Sequence, residues 1–194
     1  MRLQLLSFLI LPFVTFASQE DQIALSANDM SETYVPLTQS QPTIADLLTI
    51  ESSASIFYSY ARELELSSQF VDPHAQNTLF VPTNKAVMAL ARKPHQSAVS
   101  DKDVVLTEAE QDALSKQNVQ HWVSAHIIPH HITLATGEYL TLCEGQPISI
   151  KEVTAKSGSP AWTRVVLNKG IHIISAKEAS NGIVYMIDEA VKLD

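Results

Sequence analysis

Pro129 stands where two hydrophobic periods meet, and a chain that changes period once can fold in only a few ways. Upstream of it, apart from a short extended run at Leu79–Val81, apolar residues recur three and four apart, as on one helical face. Downstream they alternate with polar residues, as on one face of a sheet. Proline lacks the N–H a helix needs and pushes its predecessor out of helical backbone, so His130-His131 should be extended. Helices first and strands after make an α+β domain rather than a chain of βαβ units.

The helical part has readable punctuation. In TIADLLTIES, Thr43 with Asp46 three residues on is a variant capping box, and Ile44, Leu47, Leu48 and Ile50 can share one face. Ser53 or Ser55 can cap a second helix with Ile56, Phe57, Tyr60, Ala61 and Leu64 at helical spacing. NTLFVPTNKAVMALA predicts the strand Leu79–Val81, a turn at Pro82 and a helix from Thr83 or Asn84 that buries Ala86, Val87 and Leu90. Residues 92–106 read as a loop. Thr107 with Glu110 is a full capping box introducing EAEQDALSK, and NVQHWVSAHIIP predicts a further short helix carrying Val119, Trp122 and Val123.

The strands follow. HITLATGEYLTL alternates around Thr136-Gly137, a hairpin signal, and PISIKEV, TRVVLN, GIHIISAKEAS and IVYMIDEAVKL come after it. Between the last two, Asn181-Gly182 is the strongest hairpin signal in the chain, because both residue types accept positive φ.

Not all of the chain belongs to that domain. Arg2, the apolar run Leu3–Phe16 and the small residues around Ala17 read as a signal peptide over residues 1–17, too short to span a bilayer comfortably, with a retained, uncleaved anchor as the alternative. Residues 18–41 are polar and acidic, a flexible leader with too little apolar surface to offset its ordering entropy. Residues 42–194 form one domain of about 150 residues, large enough to bury roughly 70% of its unfolded-chain surface without a staple. The lone Cys143 accordingly reads as a small buried hydrophobe in a strand. The ending VKLD is neither a retention signal nor a lipid-anchor tail, and no asparagine begins an Asn-x-Ser/Thr sequon.

Four of the seven histidines, His121, His126, His130 and His131, crowd together and raise the question of a metal or catalytic centre. Catalytic zinc needs three convergent ligands and an open position. His126 and His130 are one helical turn apart, but Pro129 breaks that helix and no Glu stands where a His-Glu-x-x-His site has its base. His130 and His131, adjacent in extended chain, should point to opposite faces. Ser157-Gly158-Ser159-Pro160 lacks the strand-turn-helix frame of a nucleophile elbow, and 5 glycines build no phosphate loop. Asp101/Asp103 and Glu108/Glu110 read as solvated loop and cap carboxylates. No catalytic, cofactor-binding or metal residues are assigned. With 13 basic against 21 acidic residues, and Arg92-Lys93 the only adjacent basic pair, nucleic acid and anionic membrane are excluded as partners.

Three landmarks in order make the chain resemble a fasciclin (FAS1) domain over about residues 42–194. TIADLL with FYSYAREL resembles the family's opening helices. NTLFVPTNKAVMAL resembles its first signature, and NGIVYMIDEAVKL its closing one. HWVSAHIIPHHIT lies where the family has a helix ending in His and two apolar residues, which places His126 at a histidine that serves structure there. The resemblance implies an α+β, fasciclin-like wedge of two packed antiparallel sheets with the N-terminal helices along one side.

It also implies function. Fasciclin domains act in adhesion and in matrix or wall contacts without catalysis, so the expectation is a non-enzymatic secretory-pathway module without cofactors. Its partner would be a protein or a cell-wall or extracellular-matrix component, and the mature chain would carry no membrane anchor. Integrin binding in animal members involves a Tyr-His region and an Asp-Ile pair. Here Ala125 precedes His126 and Ser175-Ala176-Lys177-Glu178 replaces the second motif, so integrin binding is not carried over. The chain is most similar to the short single-domain fungal members, which implies an extracellular, cell-surface or vacuolar location. A luminal vacuolar or sporulation-linked protein without a discrete ligand site is the alternative, and a His-dependent metal hydrolase the more distant one.

Overall fold

A computed structural model describes residues 41–96 and 107–193. The expected signal peptide, the expected leader before residue 41, and Asp101/Asp103 lie outside the described residues.

Among the described residues, four α-helices and seven strands fold as α+β: α1 (Ile44–Ile50), α2 (Ser55–Ala61), β1 (Asn77–Pro82), α3 (Asn84–Met88), α4 (Glu108–Ser124), β2 (Ile127–Ile128), β3 (Gly137–Tyr139), β4 (Ile148–Glu152), β5 (Val165–Leu167), β6 (Ile171–Ala179) and β7 (Gly182–Ile187). The capping boxes form as expected: Thr43 Oγ1 accepts from Asp46 N–H, and Thr107 Oγ1 from Glu110 N–H. Thr83 caps α3 by accepting from Ala86 N–H at 3.2 Å. Neither Ser53 nor Ser55 caps α2. Its Ile56 N–H donates instead to Oδ1 of Asn84, 2.9 Å away at the start of α3. The same carboxamide donates to Ser52 O and Ser55 Oγ, so a distant residue closes this helix end. The two expected helices after Thr107 are a single helix of 17 residues, α4, because nothing between Lys116 and Val119 breaks it.

The expected pair of packed antiparallel sheets is corrected by the pairing. All seven strands join one sheet in the order β2-β1-β7-β6-β5-β4-β3. Its centre is a parallel pair, β1 with β7, in register from Asn77↔Gly182 to Pro82↔Ile187. β6 serves two neighbours: Ile171 and His172 pair with β5, Ile173 to Ala179 with β7, and the β7 register is irregular between Ile173 and Ser175. No hairpin forms at Thr136-Gly137; Gly137 opens β3, which pairs with β4.

Two clusters fill the two faces. Leu79, Val81, Val184 and Met186 meet Leu47, Leu48, Phe57, Val87, Trp122 and Val123, so all four helices lie on one side. Phe80, Ile183, Tyr185 and Ile187 meet Ile148, Ile150, Val165, Leu167 and Ile173, so beyond the bulge the sheet folds back over its own centre. Covered on both faces, β1 and β7 are buried at every position, as parallel strands usually are. Ile50, assigned above to the buried face of α1, is 72% exposed at the helix end. Cys143 is half-buried in a turn rather than in a strand.

The β6–β7 turn ties the layers together, in a way its Asn-Gly sequence only half reveals. Gly182 alone takes positive φ, +148°, and is already the first residue of β7. A Cβ there would sit 2.1 Å from Asn77 O and 2.9 Å from Ile44 Cδ1. Asn181 is fully buried. Its Oδ1 accepts from Ile44 N–H at 2.9 Å, and its Nδ2 donates to Phe70 O and Asp72 O at 2.9 and 3.0 Å. An ion pair between Lys177 and Glu51 adds a second tie from β6 to the helices, and with Ser53 holds the Glu51 carboxyl down to about 2.

Gly182→Ala is expected to lose about 3 kcal/mol or more, because a backbone carbonyl must move and φ is strained. Thr83→Ala should lose about 1 kcal/mol, the usual size of an N-cap. Urea denaturation midpoints check both; a Gly182→Ala midpoint equal to the parent's would mean that β7 does not need its close approach to β1.

Candidate functional site

The histidine cluster comes apart in three dimensions. His121 is exposed on α4, His130 and His131 are both exposed in the bend after Pro129, and His126 is fully buried. Among the described residues, no group of three or more His, Cys, Asp or Glu side chains is placed to hold a metal ion.

His126 is held where α4 turns into β2. Ala125 caps the helix and His126 N–H donates to Val123 O at 3.0 Å. The imidazole packs against Phe57 and Trp122, with ring centroids 5.6 and 4.7 Å away. Its Nε2 lies 3.0 Å from Val191 N, a backbone donor, and so must be the unprotonated acceptor. Nδ1 then carries the proton and donates to Trp122 O at 2.7 Å. Burial pushes the imidazole down to about 4, against the partly opposing pull of the Trp122 carbonyl. Its backbone is engaged as well, since Phe80 N–H donates to His126 O at 2.9 Å. The next residues are fixed by the buried Thr78, whose hydroxyl donates to His130 O (2.9 Å) and accepts from Ile132 N–H (3.2 Å). Both polar side chains are committed to backbone groups at a corner. Neither presents a reactive atom to solvent.

The other candidates fare similarly. Glu110 is engaged in the α4 capping box. Ser157-Gly158 form a turn, without the strand-turn-helix frame of a nucleophile. Burial and the neighbouring Glu144 raise the Cys143 thiol, the opposite of activation. His121 and Cys143 do line one depression of about 540 Å³, with Gln120, Ser124 and Leu142.

What sequence reasoning missed is a groove of about 430 Å³ on the folded-over part of the sheet. Lys151 from β4, Lys169 from the β5–β6 turn and Lys192 from the segment after β7 line it, with Glu138 and Glu189 among them. Among the described residues, none of these five charges has an ion-pair partner within 4.0 Å. Three of the lysines that look scattered along the chain are brought together here by the fold, a signal that spacing alone does not carry. The groove offers charged and amide groups to a polar ligand but no activated nucleophile.

Comparison with known proteins agrees with this architecture. The family model described as "Fasciclin domain" matches residues 52–192. A FAS1 domain-containing protein of Aspergillus fumigatus is 32% identical over 46% of this chain and 40% of its own length. Others from Candida glabrata and Saccharomyces cerevisiae are each 26% identical over 73% of this chain and 61% and 59% of their own. The chain thus spans about half the length of these curated relatives. Among solved structures, a FAS1 domain pair from the insect cell adhesion molecule Fasciclin I superposes with a TM-score of 0.53 at 17% identity. That match covers 79% of this chain and 52% of that one.

The buried neutral imidazole links stability to pH. The unfolded chain binds a proton at the ordinary histidine value of 6.5, whereas the folded one resists it until about pH 4. The stabilisation is therefore complete above pH 6.5 and lost as pH falls. The loss is about 1.4 kcal/mol per pH unit, reaching about 3 kcal/mol by pH 4. Urea midpoints between pH 7.5 and 5, above the range where Glu51 adds its own acid loss, should show this slope in the parent and not in His126→Gln. Equal slopes in both proteins would rule out His126 as the source.

Proposed function

Because the chain belongs to the fasciclin (FAS1) family, we propose that it is a non-enzymatic binding module that meets a surface, wall or protein partner in the secretory pathway. One observation carries the reading: the polar residues that could have formed a reaction centre are engaged in holding backbone corners, while five charged side chains without ion-pair partners line an open groove. Facing lysines and glutamates with a few amides suit a polar partner bearing both charge signs, and they hold no group poised for chemistry. The apolar run at residues 1–17 supports export with cleavage after Ala17, and 18–41 would then be the leader of the mature protein. Among the described residues, no helix is long and apolar enough to cross a membrane.

Locating a C-terminally tagged copy in its native host, with the mature N-terminus sequenced, tests the placement. Material in the wall or medium that starts at Ser18 and binds isolated host wall supports an adhesive role. Retention in a vacuole without wall binding favours the luminal alternative. Zinc titration of the purified domain should give no stoichiometric binding tighter than micromolar; tight binding lost in His126→Gln would instead favour a metal-dependent enzyme.

A further inference from the structure

The groove has one wall unlike the others. Residues Glu189–Leu193 leave β7 without joining a strand or helix, and Glu189, Ala190, Val191 and Lys192 line the groove. Among the described residues, a single hydrogen bond holds the backbone of this segment: Val191 N–H to Nε2 of His126. Its anchor point is Asp188, whose N–H donates to His172 O and whose Oδ1 accepts from His172 N–H at 2.8 Å. Beyond Asp188, Ala190 packs into the helix-side cluster and Val191 into the other, a small apolar area for five residues.

We propose that Glu189–Leu193 is an acid-released strap: a proton on His126 Nε2 turns the acceptor facing Val191 N–H into a second donor, and the strap lifts away, removing one wall of the lysine-lined groove. Two donors cannot share the contact, and a buried cation beside Phe57 and Trp122 has no counter-charge. The relief within reach is to lift the strap and admit water. A segment with one backbone bond and two small buried side chains opens at less cost than the central strands, so local release precedes unfolding.

Among the described residues, the surroundings do not offer another titrating group as the cause. Tyr58 and Tyr60 on α2 are half-buried phenols. Glu108, Glu110, Asp112, Lys116 and His121 on α4 are exposed, and β1 and β2 carry no ionisable side chain. Cys143, in the turn beside β2, is a thiol whose proton is held more firmly than usual. On the strap and its anchor, Asp188, Glu189, Lys192 and the facing His172 are exposed to solvent. The downward shift of His126 arises from burial, opposed by the Trp122 carbonyl, and no charged group contributes to it. For binding, the consequence rests on the groove being the contact surface proposed above; the release does not.

The test is nuclear magnetic resonance of the whole chain from pH 7 to 5, without any partner, so its outcome is separate from that of the wall-binding assay. Two amides at the same joint are compared by hydrogen-exchange protection: Val191, bonded to the imidazole, and Phe80, bonded to the His126 carbonyl. Val191 is expected to be less protected than Phe80 at every pH, and its protection to fall about tenfold per pH unit below pH ~6.5; Phe80 falls in parallel, because unfolding frees the same imidazole. In His126→Gln the protection of Val191 should not change with pH. In Val191→Pro, which lacks the N–H, the His126 ring resonances should titrate between pH 7 and 5, where the parent's do not, with Phe80 still protected at pH 7. Equal protection of Val191 and Phe80 in the parent would overturn the proposal, since the strap would then open only by unfolding, and so would the same pH dependence of Val191 in His126→Gln. Should His126→Gln fail to fold, the parent comparison and the His126 titration in Val191→Pro decide.

Discussion

The buried carboxamide of Asn181 is the contact on which the assembly of this domain depends. It accepts from the first amide of α1 and donates to the carbonyls of Phe70 and Asp72, at and just after the end of the Glu65–Phe70 turn, from a fully buried position. Each of those backbone groups would cost about 1–3 kcal/mol if buried without a partner. Beside it, Ser180 N–H reaches Pro42 O, and Asn77 N–H reaches Asn181 O. One turn therefore fixes where the chain enters the domain, where the second helical segment ends and where β1 begins. The missing side chain at Gly182 lets β7 lie against β1, and that parallel pair is the axis on which both hydrophobic clusters are built.

The same economy explains why histidines and amides in this chain do not make an enzyme-like centre. Asn84 closes a helix it does not belong to, Thr78 brackets the bend after Pro129, and His126 joins a helix end to the last described segment. These are structural tasks for side chains with two hydrogen-bonding faces. Three lysines and two glutamates of the groove are among the charged groups left free of such tasks, which fits the proposed recognition role. One wall of the groove is held through His126, so the joint that stabilises the fold at neutral pH is also the place where acid would act on the proposed contact surface.

Much of this was legible in the sequence where the cause is local. Capping boxes at Thr43 and Thr107, the cap at Thr83 and the α+β order all follow from residues within a few positions of one another, whereas the structural role of His126 came from the family resemblance and depends on Val191, 65 residues away. Failures share a different origin. Asn84 capping α2, β1 pairing in parallel with β7, and the lysines meeting in one groove depend on residues far apart in the chain. Asn181 and its Ile44 partner are 137 residues apart. The Thr136-Gly137 hairpin and the break inside α4 were local signals that tertiary pairing and an uninterrupted helix overrode. The Asn-Gly pair was found for a partly wrong reason: its turn is used, but the asparagine matters for its side chain and the glycine for the space it leaves.

Asn181→Asp tests the keystone most directly, because it keeps the shape and replaces two donated hydrogen bonds with a carboxylate facing two carbonyls. Its urea unfolding free energy at neutral pH should fall by about 3 kcal/mol or more relative to the parent, from lost bonds and a buried unpaired charge. A loss within about 1 kcal/mol would contradict the account, since the joint between helices and sheet would then be held by something other than this side chain.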